Sequence, residues 1–452
     1  MERFGITANW KGIPPLDPDF YPMEQFRRAF LATADRDMGI AVEGGCQTAV
    51  CRTRIHSTPT AADRFYIDRL VKTLLWVRGG CRVMTTDGTV WAWLREEYRP
   101  GGARAFDASF MAGTYDRPFR VERAAELPPA HDEPQPVSAG LDGCRIGFDA
   151  GGSDRKAAAI RDGQVVYTEE VLWAPKDHGD LGYHYREVVA ALKSAAAHLP
   201  RVDGVGVSSA GIQIGDRTGG ASLFLKVPPD EFQAHGRDLY LRAVRDTFGP
   251  IPCRVVNDGD VAALSGAMSL QEGSVLGIAM GTSQAGGFVD EDFRVTGWLN
   301  ELAFVPVDVS AKAPRDDWSG DVGCGASYFS QEGVVRLAKR AGLALSGDTP
   351  AERLRAVQAY MARGDERAAA VYETLGVWLG HALAGYAGLY DCRHVLLLGR
   401  VVSGGGGETA LDACRRTLAA DYPELTLALH LPDDETRRTG QAVAAASLPV
   451  ID

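Results

Sequence analysis

A chain of 452 residues with 45% hydrophobic and 24% charged residues is long enough for two to four domains and has the balance of a soluble globular protein. Its net charge of −11 argues against general binding to a phosphate backbone. Eight cysteines lie scattered without a CxxC pair, no run of about 18 apolar residues occurs, and the first residues lack a basic region followed by an apolar core. These features predict a cytoplasmic protein in a reducing compartment, with no membrane segment and no nucleic-acid partner.

Residues 1–140 read as an additional α+β module. Irregular Pro-containing sequence opens it, and a helix is predicted over 24–34. Residues 61–77 form the clearest amphipathic helix, with Phe65, Leu70, Leu74 and Val77 near one face. Gly79-Gly80 ends that helix, residues 81–84 read as a strand, and Asp87-Gly88 reads as a turn. Trp76, Trp91 and Trp93 are most simply core residues. His56 lies in a polar cluster that could reach a substrate, although a structural role is the more common outcome. Acids and bases are about balanced, and the Pro/Glu/His-containing stretch 127–137 reads as a linker.

From Cys144 the texture changes to alternating strands and helices. Arg145-Ile146-Gly147-Phe148 is a strand that enters Asp149-Ala150-Gly151-Gly152-Ser153. Strands over 156–160 and 165–169 follow, joined by an Asp162-Gly163 hairpin turn. A helix over 185–199 leads to the buried-strand run 204–207, which ends in Ser208-Ser209-Ala210-Gly211. The second half begins the same way: a strand over 275–280 enters Gly281-Thr282-Ser283, and 285–289 continues as a strand. Helices over 332–341 and 367–389, a strand over 394–398, a helix over 408–420, a strand over 425–431 and a helix over 439–446 complete the chain. This is an internal duplication.

The pattern divides the chain into an extension (1–140), a first lobe (141–265, with a C-terminal helix at about 436–452 packing back) and a second lobe (266–435). Three glycine-rich turns stand at strand ends. Glycines let backbone N–H groups approach anionic oxygens, Ser153 adds a hydroxyl donor, and Asp149 could hold a hydrated Mg²⁺. Taken alone, the first turn is equally a plain β-turn. Gly281-Thr282-Ser283 repeats it in the second half, and Gly399 with Gly404 through Gly407 precedes a helix. No GxxxxGK[ST] loop is present. Between them, Arg254-Val255-Val256-Asn257-Asp258-Gly259 puts a carboxylate at the carboxyl end of a strand, beside a helix N-terminus. Ligands bind at that end of open α/β sheets, and a lone carboxylate there can take a proton from an attacking hydroxyl; the alternative for Asn257-Asp258-Gly259 is a plain turn.

These residues resemble the ROK family of sugar kinases, within the superfamily of actin-like, hexokinase-like and Hsp70-like ATPases. The resemblance rests on 146–153 and Gly281-Thr282 for the phosphate motifs, Asn257 through Leu264 for the catalytic motif, Leu398-Gly399 with Gly404–Gly407 for the adenosine motif, and Asn300 through Val307 for the substrate motif. It covers about residues 144–450. It implies a duplicated ribonuclease H-like, two-lobed α/β core, ATP with Mg²⁺, and phosphorylation of a sugar hydroxyl. Asp258 would be the general base, with Asn257, Glu301, Ser209, Ala210 and Gly211 on the sugar. Asp149, Gly151, Gly152, Ser153, Gly281, Thr282, Gly399, Gly404 and Gly405 would serve the nucleotide. A homodimer is the family default. A sugar-responsive transcriptional regulator and a non-catalytic sugar-binding protein of the same fold are the alternatives.

The departures concern the sugar side. Family members usually carry a zinc held by one His and three Cys; here the His position is Phe304 and only Cys324 remains. A tetrahedral zinc needs four ligands, so no zinc is expected, and packing by Phe304, Tyr328 and Phe329 would hold the loop. The last motif Glu is Gln331. With Phe304 and Gln331 in those places, a sugar other than plain glucose, an amino sugar or a cyclitol is the expected acceptor.

Overall fold

The computed structural model describes every residue except Cys46, Pro136, Ser138, Ala139, Ser153, residues 433–439 and Asp452. The chain divides into two compact units. One comprises Met1–Asp132, Ile278–Gly286 and Trp298–Leu431; the other comprises Glu133–Gly277, Gly287–Gly297 and Pro432–Asp452.

The unit built on Glu133–Gly277 holds a five-stranded sheet in the order Cys253–Asn257, Gly204–Ser209, Cys144–Ala150, Asp154–Arg161, Gln164–Leu172. The last three strands run antiparallel in sequence, and the first two lie parallel to Cys144–Ala150. The Asp162-Gly163 turn has both residues at positive φ (49° and 81°), the hairpin geometry that Asp-Gly favours. Successive side chains of a strand point to opposite faces, so each strand must suit two neighbours. On one face Ile146, Phe148, Val205, Val207 and Val255 pack with residues of the helices Leu181–Ala196 and Leu239–Phe248. On the other, Gly147 and Gly206 meet the helix Gly440–Ala446 so closely that a Cβ at either would overlap a carbonyl oxygen, of Ala442 or Ala445. Glycine in these central strands is therefore a packing requirement.

In the other unit, a four-stranded sheet has the order Gln47–Ile55, Arg36–Gly44, Arg82–Thr85, Arg120–Arg123. The helix Ala61–Arg78 begins with a capping box, in which Thr60 and Asp63 satisfy each other's backbone N–H groups. The helices Glu366–Ala387 and Gly405–Asp421 pack through small residues: a Cβ on Gly376 would overlap the Ala410 carbonyl, and one on Gly380 would crowd Thr417. The N-terminal segment is tied to this helix pair. His381 bonds the Gly12 carbonyl and the Tyr422 hydroxyl, both at 2.8 Å, and the Asp421 carboxylate accepts the N–H groups of Lys11 and Gly12. A further sheet has the order Gln284–Val289, Val275–Met280, His394–Leu398, Ala428–His430, its last two strands parallel.

One expectation changes, and two strands are added. Asp87-Gly88 is not a turn between strands: the Asp87 carboxylate accepts the N–H groups of Thr89 and Val90 at 2.9 Å and caps the helix Gly88–Glu97. The strands Arg36–Gly44 and Gln47–Ile55 were not evident from the sequence, because alternation is weak where both faces are partly covered. The boundary between the two units, Asp132 to Glu133, falls within the stretch read as a linker, where His131 bridges Thr48 and Gln135 bridges Val295. Among the described residues no helix is long and apolar enough to cross a membrane.

Candidate active site

Three parallel strands end side by side in the Glu133–Gly277 unit, and their register puts Asp149 beside Ser208, and Ser209 beside Ala150 and Asn257. The sites named from the sequence in this unit thus gather at one edge of the sheet, at the carboxyl ends of its strands. Asp149 is 4% exposed and accepts a 2.7 Å hydrogen bond from the Ser208 hydroxyl; burial pushes its carboxyl up. Asn257 caps the helix Asp258–Leu270, its Oδ1 accepting the Gly259 N–H at 2.8 Å. Its Nδ2 donates to the Gly211 carbonyl at 2.7 Å, which ties the Ser209-Ala210-Gly211 loop to the strand end. Gly211 has φ +109°, and a Cβ there would collide with Ala221, so the loop needs glycine.

Asp258 occupies the first turn of that helix and accepts the Gly259 N–H at 3.0 Å. Burial, and then the negative charge of Asp149, push its carboxyl up to about 6. Asp260, the second acid of the motif, is 3% exposed and accepts the Phe288 N–H at 3.0 Å. It stands in the first turn of the helix, where a carboxylate suits the dipole.

At the first glycine turn, a Cβ on Gly151 would press on the Asp154 carbonyl at 2.7 Å. The Trp173 indole donates to the Gly151 carbonyl at 2.8 Å. Ser153 lies outside the described residues.

In the other unit, Gly281 accepts the N–H of Gln331 at 2.8 Å through its carbonyl, and Gly399, with φ +94°, lies against the carbonyl of Met280. Gly281, Gln331 and Gly399 are thereby brought together, and Thr282 is exposed beside them. Gly404 has φ +73°; a Cβ on Gly281, Gly404 or Gly405 would meet nothing within 4 Å, so all three border open space. Gly404 precedes the helix Gly405–Asp421, whose first N–H groups receive no side-chain cap.

Glu301 and Phe304 lie at the end of the helix Ala61–Arg78. The N–H groups of Asn300 and Glu301 donate to the carbonyls of Val77 and Trp76, at 3.0 and 2.9 Å. Phe304 stacks on Trp76 with ring centroids 4.1 Å apart and stands 5.2 Å from Trp318. Tyr328 donates to Asp308 at 2.6 Å, and Asp308 also accepts the Tyr21 N–H. Beside Cys324 lies a buried cluster that the sequence did not suggest. Lys72 contacts Asp107 at 2.8 Å, Arg104 contacts Asp68 at 2.6 Å and Asp321 at 2.7 Å, and Arg69 contacts Asp68 at 2.6 Å. The Cys324 thiol sits 3.5 Å from Asp321 and is pushed up by burial.

Ser208, Trp173, Tyr240 (2.9 Å from the Ser209 hydroxyl) and Trp76 are the partners sequence reasoning missed. Only Ser208 had a local signal, as the first residue of the Ser-Ser-Ala-Gly strand end. His56 bonds Asp63 and Thr33, which makes it part of the helix start rather than a substrate contact.

The strand order of the five-stranded sheet and the repeated strand–glycine-turn–strand units define the actin-like ATPase fold. The sequence model of the ROK family matches residues 145–447, and the chain belongs to that family. Among solved structures, it is similar to a ROK family glucokinase from Streptomyces griseus in complex with glucose and AMPPNP, at 21% identity over 67% of this chain and 98% of that one, TM-score 0.50. It is also similar to a ROK hexokinase from Thermus thermophilus, at 19% identity over 67% and 96%, TM-score 0.51. A ROK family protein from Streptococcus pneumoniae in complex with sucrose matches at 15% identity over 67% and 96%, TM-score 0.50. No curated protein matches the chain.

Proposed function

We propose that the chain is an ATP-dependent kinase that transfers the γ-phosphoryl group to a hydroxyl of a sugar, amino sugar or cyclitol. The observation that carries this reading is Asp258. It is a carboxylate at a strand end, with its carboxyl raised to about 6, on the same sheet edge as the Gly151-Gly152 turn suited to phosphate oxygens. A group ionising near there is charged at neutral pH yet basic enough to take a hydroxyl proton. As the acceptor oxygen attacks the γ-phosphorus, Asp258 receives its proton and ADP leaves. Catalysis is then mostly positioning and charge stabilisation. The likeness to a ROK glucokinase crystallised with glucose and AMPPNP supports both substrates.

In the Glu133–Gly277 unit, Gly151 and Gly152 would meet phosphate oxygens, and Asn257, Ser209, Ala210 and Gly211 the acceptor. In the other unit, Gly281 and Thr282 would serve phosphate, Gly399, Gly404 and Gly405 the adenosine, and Glu301 and Gln331 the acceptor. The buried, raised carboxyl of Asp149 suits a divalent cation. Asp149 would hold Mg²⁺ through water, and the ion would neutralise phosphate charge when bound. Phe304, stacked on Trp76, presents no imidazole to the acceptor, which favours a ligand other than plain glucose.

The test is ADP release against a panel of sugars, amino sugars and cyclitols. Wild type should turn over at least one, and Asp258→Ala should lose about 10³-fold or more in kcat with acceptor affinity largely kept. Near-normal turnover by that variant would disprove the general-base role. Glu301→Gln should chiefly raise the acceptor KM, by about tenfold. An unchanged KM removes Glu301 from the acceptor site.

A further inference from the structure

The first glycine turn has a neighbour that the proposed reaction has not yet used. After the strand Gln164–Leu172, Trp173 is buried and its indole is fixed on the Gly151 carbonyl. The next residues are held too: the Ala174 N–H donates to the Tyr183 hydroxyl at 3.2 Å, and Pro175, which is buried, opens one helical turn, Pro175–Asp177. Lys176 therefore leaves an anchored backbone. Its side chain lies over the turn, with Cε and Nζ each 3.5 Å from where a Cβ on Gly152 would stand.

The charge of that lysine is unspent. It makes no hydrogen bond or ion pair with any described residue and is exposed to solvent. The acids that follow it have cations of their own, Asp177 with Lys226 at 3.4 Å and Asp180 with Arg186 at 3.3 Å, and Asp154 at the turn pairs with Lys156 at 3.0 Å. An ammonium held above a turn of glycine N–H groups, without a carboxylate to neutralise it, is complementary to an oxyanion that the turn itself would bind.

We propose that Lys176 is a catalytic residue that binds the phosphate oxygens of the nucleotide at the Gly151-Gly152 turn. This rests on the kinase reading above. Lysine acts here as a compact point charge with rotatable donors, able to follow an oxygen as charge shifts between the transferred group and the departing diphosphate.

The experiment measures AMPPNP affinity by calorimetry, which needs no acceptor, and then kcat/KM for ATP with the best panel acceptor. Lys176→Ala and Lys176→Gln should each weaken AMPPNP binding about tenfold or more. They should lower kcat/KM for ATP about 100-fold and leave the acceptor KM within about twofold. Lys176→Arg should restore a large part of both. The nucleotide affinity of wild type should also fall more steeply with added salt than that of Lys176→Gln. If wild type binds AMPPNP and both neutral variants match it in affinity and turnover, Lys176 has no such role. If wild type binds no nucleotide, the kinase reading itself fails, and this assignment with it.

Discussion

A carboxyl raised to about 6 in the fold and lower in the unfolded chain takes up protons on folding between those two values. Stability contributed at Asp258 therefore falls as pH rises from about 4 to about 6, and the full cost is present above that range. Asp258→Asn removes the charge and keeps the shape. In EDTA at pH 7.5 it should be more stable than wild type by about 2–3 kcal/mol, with the gain vanishing below about pH 4. Thermal melts across that range check it; a gain that persisted at pH 3.5 would show that charge is not its source. The position of Asp258 at a strand end was legible because the strand, the Asn-Asp pair and the helix start are contiguous. Its raised carboxyl was not, since burial arises only in the folded chain and Asp149, the lesser cause, is more than 100 residues away in sequence.

At the scale of elements, glycines of two kinds should respond in opposite directions. Gly206 in the central strand meets the Ala445 carbonyl of the helix Gly440–Ala446, and a backbone oxygen cannot rotate away. Gly206→Ala should cost about 1–3 kcal/mol or more in denaturant melts. Gly113, inside the helix Ala105–Tyr115, has open space where a Cβ would go, so Gly113→Ala should gain about 1 kcal/mol. A neutral Gly206→Ala would mean that the helix moves without penalty. The strand run at 204–207 was plain from its pattern, yet its glycines could equally have marked a bulge or a weak strand. What they accommodate lies more than 230 residues further on, which no local pattern reveals.

Across the molecule, the extension was the least legible part. Its backbone carbonyls at Trp76 and Val77 hold the Glu301 loop, and Lys72 and Arg104 enter a buried cluster with Asp321. Three acids (Asp68, Asp107, Asp321) face three bases (Arg69, Lys72, Arg104), so removing one leaves a buried charge uncompensated. Lys72→Met should destabilise by about 3–5 kcal/mol. Chelators should leave the wild-type melting temperature unchanged if this cluster and the aromatic stack at Phe304 carry the loop. A chelator-induced drop would place a metal there instead.

The helix Gly440–Ala446 also governs when this protein can finish folding. Until those residues leave the ribosome, the strands Cys144–Ala150 and Gly204–Ser209 keep one face open to water, with Gly147 and Gly206 at its centre. Pairing that face must wait for residues more than 230 positions beyond the strands, and such distant contacts form slowly. A nascent chain stalled before residue 440 should therefore present the five-stranded sheet as a sticky, half-covered surface and draw on holding chaperones. A chain that has released residues 440–446 from the ribosome should not.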